Sequence, residues 1–581
     1  MHIMKKNSEA QLIDNTTAEK ITLRSIIEKF VYHDLAREID RTGAMVEKIG
    51  DEATYCGYPA LNDIANMTRG NLISSTITLA VYKCKNGDPG ADAMFSRVNN
   101  LIHMLLGTKT ATWGKLAVLN GLSLLMDEGL LDKITAESIE ICKEATDYGD
   151  FLDKETLTLI NKATNYYHVA MECAARREKL GFESEGMSQK IMMRLLGIMD
   201  KESSAGWSDE QPSFGRFDLY TLEVPSHLME QYLSMGQPVP QNVMDSFAEV
   251  VSIFFWLRNP WGDGFPYGRS RAVNGDLAQA RTLLKAMQMN MLSEQAFRDA
   301  HAYIARVAEK VRDFWYDPEL GCVNLWLKGR NTDLYRNITR ILEVNMGVQN
   351  SMRNILQSAE ALGIADMPVP ESDYGYTDTW QCKETIFDEA PDKKRAAYFL
   401  RRGDRIFALP LIGTGKYACH AAYLPFPVCA RFIESPQDTS VPFLTPRYKT
   451  ADGKILIPAG FFREIRTEIS FDKVVIYAQG QMSIVDPSLN INEPKPYGRF
   501  SAVYTFEGDY IRVSFDTDVP VVHTEMFYAG PAKVKGYGFE QLREVDATSS
   551  EYDTIHGSPS KGIEWTGSCA AVGYEILLQE V

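Results

Sequence analysis

Side chains able to bind a sugar or an anion crowd into one stretch, Arg258-Asn259-Pro260-Trp261-Gly262-Asp263-Gly264-Phe265-Pro266-Tyr267-Gly268-Arg269-Ser270. An apolar helical run from Val250 to Leu257 leads in, and a second run starts near Val273 or Leu277. Prolines and glycines stop the helix between them and fix an irregular loop. Trp261 and Phe265 offer flat apolar faces for a sugar ring, while Arg258, Arg269 and Arg271 offer cations. A phenol ionises near pH 10 and is a poor base unless a neighbouring cation lowers that value. Arg269 is therefore assigned to a substrate carboxylate or to Tyr267, with Arg258, Asp263 and Ser270 as binding positions around them.

Three further constellations carry polar chemistry. Trp207-Ser208-Asp209-Glu210 precedes Gly215-Arg216-Phe217-Asp218-Leu219-Tyr220. Spacings of two place Arg216, Asp218 and Tyr220 on one side of an extended segment, and a spacing of four puts Arg216 and Tyr220 on one helix face. Either way a guanidinium, a carboxylate and a phenol converge; His227, seven residues on, reads as a capping or surface residue at a helix start. Asn165-Tyr166-Tyr167-His168 opens a helix that runs through Arg176 and Arg177. Its amide can bond a carboxylate, and its imidazole can move a proton near neutral pH. Cys419-His420-Ala421-Ala422-Tyr423-Leu424-Pro425-Phe426-Pro427 ends a strand, so His420 and Tyr423 hang from a loop that can face the helices.

The elements that must position these groups fall into two blocks. Residues 1–20 read as a polar tail. From 21 to about 365 the apolar residues recur at helical spacing, for example Met94, Val98, Leu101, Ile102 and Leu105, or Val243, Phe247, Val250 and Phe254. About a dozen such segments are enough to close as hairpins into a toroid of inner and outer helices. Beyond Pro368-Val369-Pro370 the pattern changes to alternation rich in β-branched and aromatic residues, as in Lys473-Val474-Val475-Ile476-Tyr477-Ala478. Residues 366–581 are accordingly expected to form an antiparallel β-sandwich, giving an α-then-β chain of two segregated domains.

The 581 residues carry a formal charge of −16, which argues against nucleic acid as a partner. Local arginines can still hold an anion, because distant charges are screened beyond about 8 Å. No apolar run reaches the roughly 20 residues of a membrane span. Nine cysteines without paired spacing point neither to a disulfide framework nor to structural zinc, so no metal and no cofactor is expected. The expected compartment is the cytoplasm, or the exterior after removal of a signal peptide. Signatures for zinc proteases, α/β-hydrolases, P-loops and dinucleotide-binding folds are all missing.

Taken together, the Asn165-Tyr166 pair, the Arg216 to Tyr220 run, the Phe265 to Ser270 loop and the Tyr423-Leu424-Pro425-Phe426-Pro427 segment resemble the toroid-plus-sandwich polysaccharide lyases of the heparinase II/III-like group. Among these, the chain is most similar to rhamnose–glucuronate lyases, over most of residues 60 to 580. The resemblance implies β-elimination beside a uronic acid such as glucuronate, with an acidic oligosaccharide or polysaccharide as partner. It further implies Asn165 and Arg269 as neutralisers of the carboxylate, His168 as a candidate base, and Tyr220 or Tyr267 as acid or acid/base. Arg216, Asp218, Trp261, Asp263, Arg258, Ser270 and His420 are expected to bind substrate. The chain departs from the family pattern in having no histidine within the Tyr267 loop and no calcium-type acidic cluster. One alternative is a toroid hydrolase using Asp209, Glu210, Asp218 or Asp263, since one scaffold hosts several chemistries. Another is a non-catalytic glycan-binding protein.

Overall fold

The computed structural model describes residues 21–61, 67–106, 110–326, 338–413, 420–436, 441–549 and 552–578. The expected polar tail at 1–20 lies outside them. The helices, in chain order, are α1 (Leu23–Lys29), α2 (Leu35–Ile49), α3 (Thr68–Lys85), α4 (Ala91–Leu105), α5 (Thr112–Asp127), α6 (Ala136–Ala145) and α7 (Tyr166–Lys179). They continue as α8 (Met187–Glu202), α9 (Leu219–Ser234), α10 (Gln241–Trp256), α11 (Val273–Gln288), α12 (Glu294–Lys310) and α13 (Ile341–Ala361). Among the described residues none is long and apolar enough to cross a membrane.

Alternate helices form an inner ring. α3 packs on α5, α5 on α7, α7 on α9, α9 on α11, α11 on α13, and α13 returns to α3. The closing contact includes a 2.8 Å hydrogen bond from Arg353 of α13 to Thr78 of α3. The remaining helices pack outside as hairpin partners, α4 on α3, α8 on α7, α10 on α9 and α12 on α11. Position in the ring explains composition. Outer α2 buries one stripe, with Leu35, Ile39 and Val46 inside, whereas inner α3 buries every residue from Leu72 to Val81. Small residues let inner helices approach closely: a Cβ on Gly114 would lie 2.9 Å from the Met67 carbonyl.

Hairpin connectivity makes the six inner helices parallel, and contacts between their first turns confirm it. Trp113 of α5 meets His168 of α7 edge-on at 5.3 Å. The Thr164 amide before α7 donates to the Glu210 carbonyl before α9, at 3.4 Å. Tyr220 of α9 reaches Ser270 before α11. With Arg340 before α13 also reaching Met67 before α3, all six N-termini open on one rim, where helix dipoles favour negative charge.

The strand-rich part covers that rim on the α9–α11 side. The last helix ends at Ala361 and the first strand of this part begins at Gln381, either side of the division expected at 365/366. Strands Gln381–Asp388, Arg395–Arg402 and Arg405–Leu411 form a three-stranded antiparallel sheet lying between the helices and a ten-stranded antiparallel sheet. Residue alternation produces this layering. Along Arg395–Arg402, Phe399 stacks against Tyr267 and Arg401 bonds the Tyr374 carbonyl on the toroid side. Tyr398 points the other way, to Thr467 of the large sheet. The strand is buried on both faces; its middle, Ala396 to Leu400, is apolar and aromatic, and arginines stand at its two ends. The chain has the toroid-plus-sandwich architecture expected from its sequence.

Candidate active site

The rim between α9 and α11 is built by local capping. The Asp209 carboxylate accepts from the backbone amides of Gln211, Gly215 and Arg216 at 2.8–3.0 Å, which folds the segment before α9 into a closed loop. Asp218 then caps α9, its Oδ1 accepting from the Tyr220 amide at 3.0 Å. The other oxygen, Oδ2, accepts from the Tyr423 hydroxyl at 2.6 Å and lies 3.4 Å from Arg216 and 3.7 Å from Arg269. Gly268 has φ of 78°, and a Cβ there would lie 2.8 Å from that of Asp218, so only glycine lets the loop pass.

Arg269 sits at the centre of the cluster. Its guanidinium lies 4.3 Å over the ring of Tyr220 and is ion-paired to Glu210. The Tyr220 hydroxyl shares a 2.8 Å hydrogen bond with Ser270, and the Tyr220 side chain remains half-buried. Ser270 and Ala272 have φ of 55° and 61°, sparsely populated for residues with a Cβ. Such strain clusters where a structure fixes functional groups.

Asn165 belongs to the same neighbourhood by a helix argument. Glu172 of α7 and His227 of α9 lie 2.7 Å apart, and each is seven residues below a rim residue, Asn165 and Tyr220 respectively. Seven residues are nearly two turns, so each pair shares a face about 10 Å apart along its helix. Because α7 and α9 are parallel, Asn165 and Tyr220 are neighbours across the gap at the rim. Asn165 is buried, makes no cap bond, and its carbonyl oxygen has no hydrogen-bond partner among the described residues.

Several expected site residues lie elsewhere. Tyr267 is buried behind the cluster, packed against Phe265 at 4.5 Å, with no partner for its hydroxyl among the described residues. Burial, with the nearby Asp218 charge, pushes its phenol well above the usual range. It is therefore not set to exchange a proton at the rim. His168 is fully buried, stacked 3.9 Å from His227, and burial together with His227 holds it neutral. That corrects its expected position as a base facing substrate. His227 sits in the middle of α9, not at a helix start. Arg216 and Tyr220 do not share a helix face, because α9 begins only after Asp218; Arg216 instead bonds Tyr423 at 2.8 Å.

The first half of the loop turns away from the rim. Arg258 pairs with Asp299 at 3.4 Å. Asp263 is held by Lys310 at 2.6 Å, Arg431 at 3.3 Å and His556 at 3.4 Å. Trp261, Asp263 and Arg431 line a separate cavity of about 420 Å³ that the rim cluster does not share. Thus the single cleft expected for the whole loop splits in two. The His420 side chain lies outside the described residues. Two residues of the cluster have no role in the elimination reading from sequence: Tyr423, and Glu210, which enters only as a carboxylate of the alternative hydrolase. Each was visible within a polar segment, yet neither spacing nor type tells which distant arginine it meets.

The chemistry available is that of a phenol hydrogen-bonded to a hydroxyl and covered by a guanidinium, with the side-chain amide of Asn165 alongside. No protein-family model matches the chain, and no curated protein matches it. Solved structures do. A Streptomyces coelicolor A3 chondroitin AC lyase in complex with chondroitin sulphate matches at a TM-score of 0.50 and 11% identity, covering 96% of this chain and 82% of that one. A heparinase III matches at 0.48 and 9%, covering 97% and 88%. A Paenibacillus xanthan lyase matches at 0.47 and 10%, covering 96% and 59%. At such identities the likeness is one of fold, and the fold is that of the toroid-plus-sandwich polysaccharide lyases.

Proposed function

We propose that this chain is a polysaccharide or oligosaccharide lyase that breaks the glycosidic bond beside a uronic acid, glucuronate in the first instance, by β-elimination. The observation that carries the reading is the Tyr220–Arg269–Ser270 cluster beside Asn165, at a rim where helix N-termini converge. A uronate C5 proton is removable only when charge developing on the carboxylate is stabilised. The Arg269 guanidinium and the NH2 of the Asn165 side chain are the donors for that task. Tyr220, with its hydroxyl on Ser270, takes the C5 proton as phenolate and returns a proton to the leaving oxygen. The C5–H and C4–O bonds break, the C4–C5 double bond forms, and no water is consumed. With His168 and Tyr267 withdrawn from the rim, one tyrosine serves as both base and acid. That the solved neighbour is a chondroitin lyase bound to an acidic glycan supports the substrate class.

The carboxylates present favour elimination over hydrolysis. A hydrolase needs two carboxyl groups facing the bond from either side. Asp209, Glu210, Asp218 and Asp263 are each at most 7% exposed. Asp209 is spent on loop amides, Glu210 on Arg269, Asp218 on Tyr423 and Arg216, and Asp263 on Lys310. The test is a panel of gum, ulvan, pectin and glycosaminoglycan substrates read by ultraviolet absorbance and mass spectrometry. Elimination gives unsaturated products whose masses sum to that of the substrate, and Tyr220→Phe lowers kcat by roughly 10²–10⁴. Products heavier by one water would replace this reading with the hydrolase.

A further inference from the structure

Among the described residues, Tyr423 is the one side chain from the strand-rich part that bonds both arginine-bearing segments of the rim. Its hydroxyl donates to Asp218 at 2.6 Å and accepts from the Arg216 side chain at 2.8 Å and from the Arg269 backbone amide at 3.0 Å. All three partners belong to the toroid. The ring is fully buried, with the Arg216 guanidinium 4.7 Å above it. One residue earlier, the Ala422 carbonyl accepts from the Gly268 amide at 3.0 Å. Ala422 and Tyr423 thus clamp Gly268 and Arg269 from the sandwich side.

The two groups assigned to chemistry both hang from this phenol. One route runs through Asp218, whose second oxygen caps α9 at the amide of Tyr220. The other runs directly to the backbone of Arg269, whose guanidinium covers the Tyr220 ring. Charge-assisted hydrogen bonds in a dry site are the strong ones, and they fix geometry as well as energy. The hub is dry, with Asp218 at 0% and Arg216 at 4% exposure.

We infer that Tyr423 is a positioning residue through which the sandwich sets the mutual placement of Arg269 and Tyr220, so that the rim is competent only with the sandwich docked. Tyr423 touches no substrate in this scheme. The inference rests on the elimination reading for its activity measurement, though not for its structural one.

Tyr267 supplies the control, being equally buried and beside the same aspartate, with a hydroxyl that bonds nothing among the described residues. The experiment compares Tyr423→Phe and Tyr267→Phe in the full chain. Tyr423→Phe is expected to lower kcat about tenfold to a hundredfold, as misplacement of a catalytic group does, with KM changed less than about threefold. Amide hydrogen exchange in 266–272 and 216–222 is expected to quicken, while Tyr267→Phe changes neither measurement. Full kcat in folded Tyr423→Phe overturns the inference, as does loss that merely follows the fraction unfolded. Unchanged exchange at both segments overturns it too. If the wild-type chain eliminates no uronate glycan, the proposed function fails, and the exchange comparison still decides the role of Tyr423.

Discussion

The loop between α10 and α11 serves two neighbourhoods of opposite character. Its first half ends in Asp263, part of a charge network with Lys310, Asp276, Arg431, His556 and Glu434. Lys310 also lies 2.8 Å from Asp276, and His556 lies 2.5 Å from Glu434. Burial alone would raise the Asp263 carboxyl, yet Lys310 and His556 outweigh it and hold the group well below its ordinary value. Its second half ends in Arg269 and Ser270, against the half-buried phenol of Tyr220. The first neighbourhood closes every charge with an opposite one. The second leaves a proton-bearing group reachable. On the proposed reading, buried charge by itself is no sign of an active site, since the more heavily charged of the two neighbourhoods is assigned the structural role.

Asp263→Ala breaks the comparison most severely. It leaves Arg431 and His556 without this partner and Lys310 with Asp276 alone. Removing one partner from a buried charge network costs about 3–5 kcal/mol. The expected outcome is a large drop in the denaturant midpoint, with activity per folded molecule retained. Loss of activity without loss of stability would move the site to the outer cavity and to Trp261.

Ser270→Ala sharpens the other side. It removes the hydroxyl on Tyr220 while keeping the backbone, and one such hydrogen bond is worth about 0.5–1.5 kcal/mol. A fall in kcat of about threefold to tenfold with an unchanged melting temperature is expected. No change in kcat would mean that Ser270 plays no part in holding the Tyr220 proton.

Much of the fold was legible because it follows from periodicity. The stripe Val243, Phe247, Val250 and Phe254 forms one buried helix face of α10, and the β-branched run from Lys473 to Ala478 lies in the strand Lys473–Val485. The site was legible in part. Asn165, Tyr220, Arg269 and Ser270 announce themselves by type, and all four stand at or just before the first turns of α7, α9 and α11, Tyr220 where the Asp218 cap fixes the backbone. Of the two readings of Arg216 and Tyr220, the shared helix face fails because α9 starts only after its cap, Asp218, which lies between them. Tyr267 and Arg258 failed for another reason. Their side chains turn inward on contacts with Phe399 and Asp299, more than 40 residues or a whole domain away, and local spacing carries no information about such partners. Tyr423 was missed as the hub for the same reason, since its three partners lie more than 150 residues upstream.

The smallest expected effect tests the loop that carries the rim. Glu202 accepts from the Asp209 amide at 3.0 Å, and burial, with Asp209 adding to it, raises its carboxyl from 4.5 to about 8. Asp209, buried as well, is raised to about 6 despite three amide bonds. A carboxyl raised on folding is one the folded chain prefers neutral. Its contribution to stability is therefore full below about pH 4.5 and is lost as pH climbs to about 8. Glu202→Gln keeps an acceptor for the Asp209 amide and removes the titration. The variant should melt with the wild type near pH 4 and roughly 1–3 °C above it at pH 9, a small shift because a chain of this size spreads each kcal/mol over a large unfolding entropy. Curves that stay parallel from pH 4 to 9 would mean that Glu202 ionises freely and that the Asp209 loop is held by its amides alone.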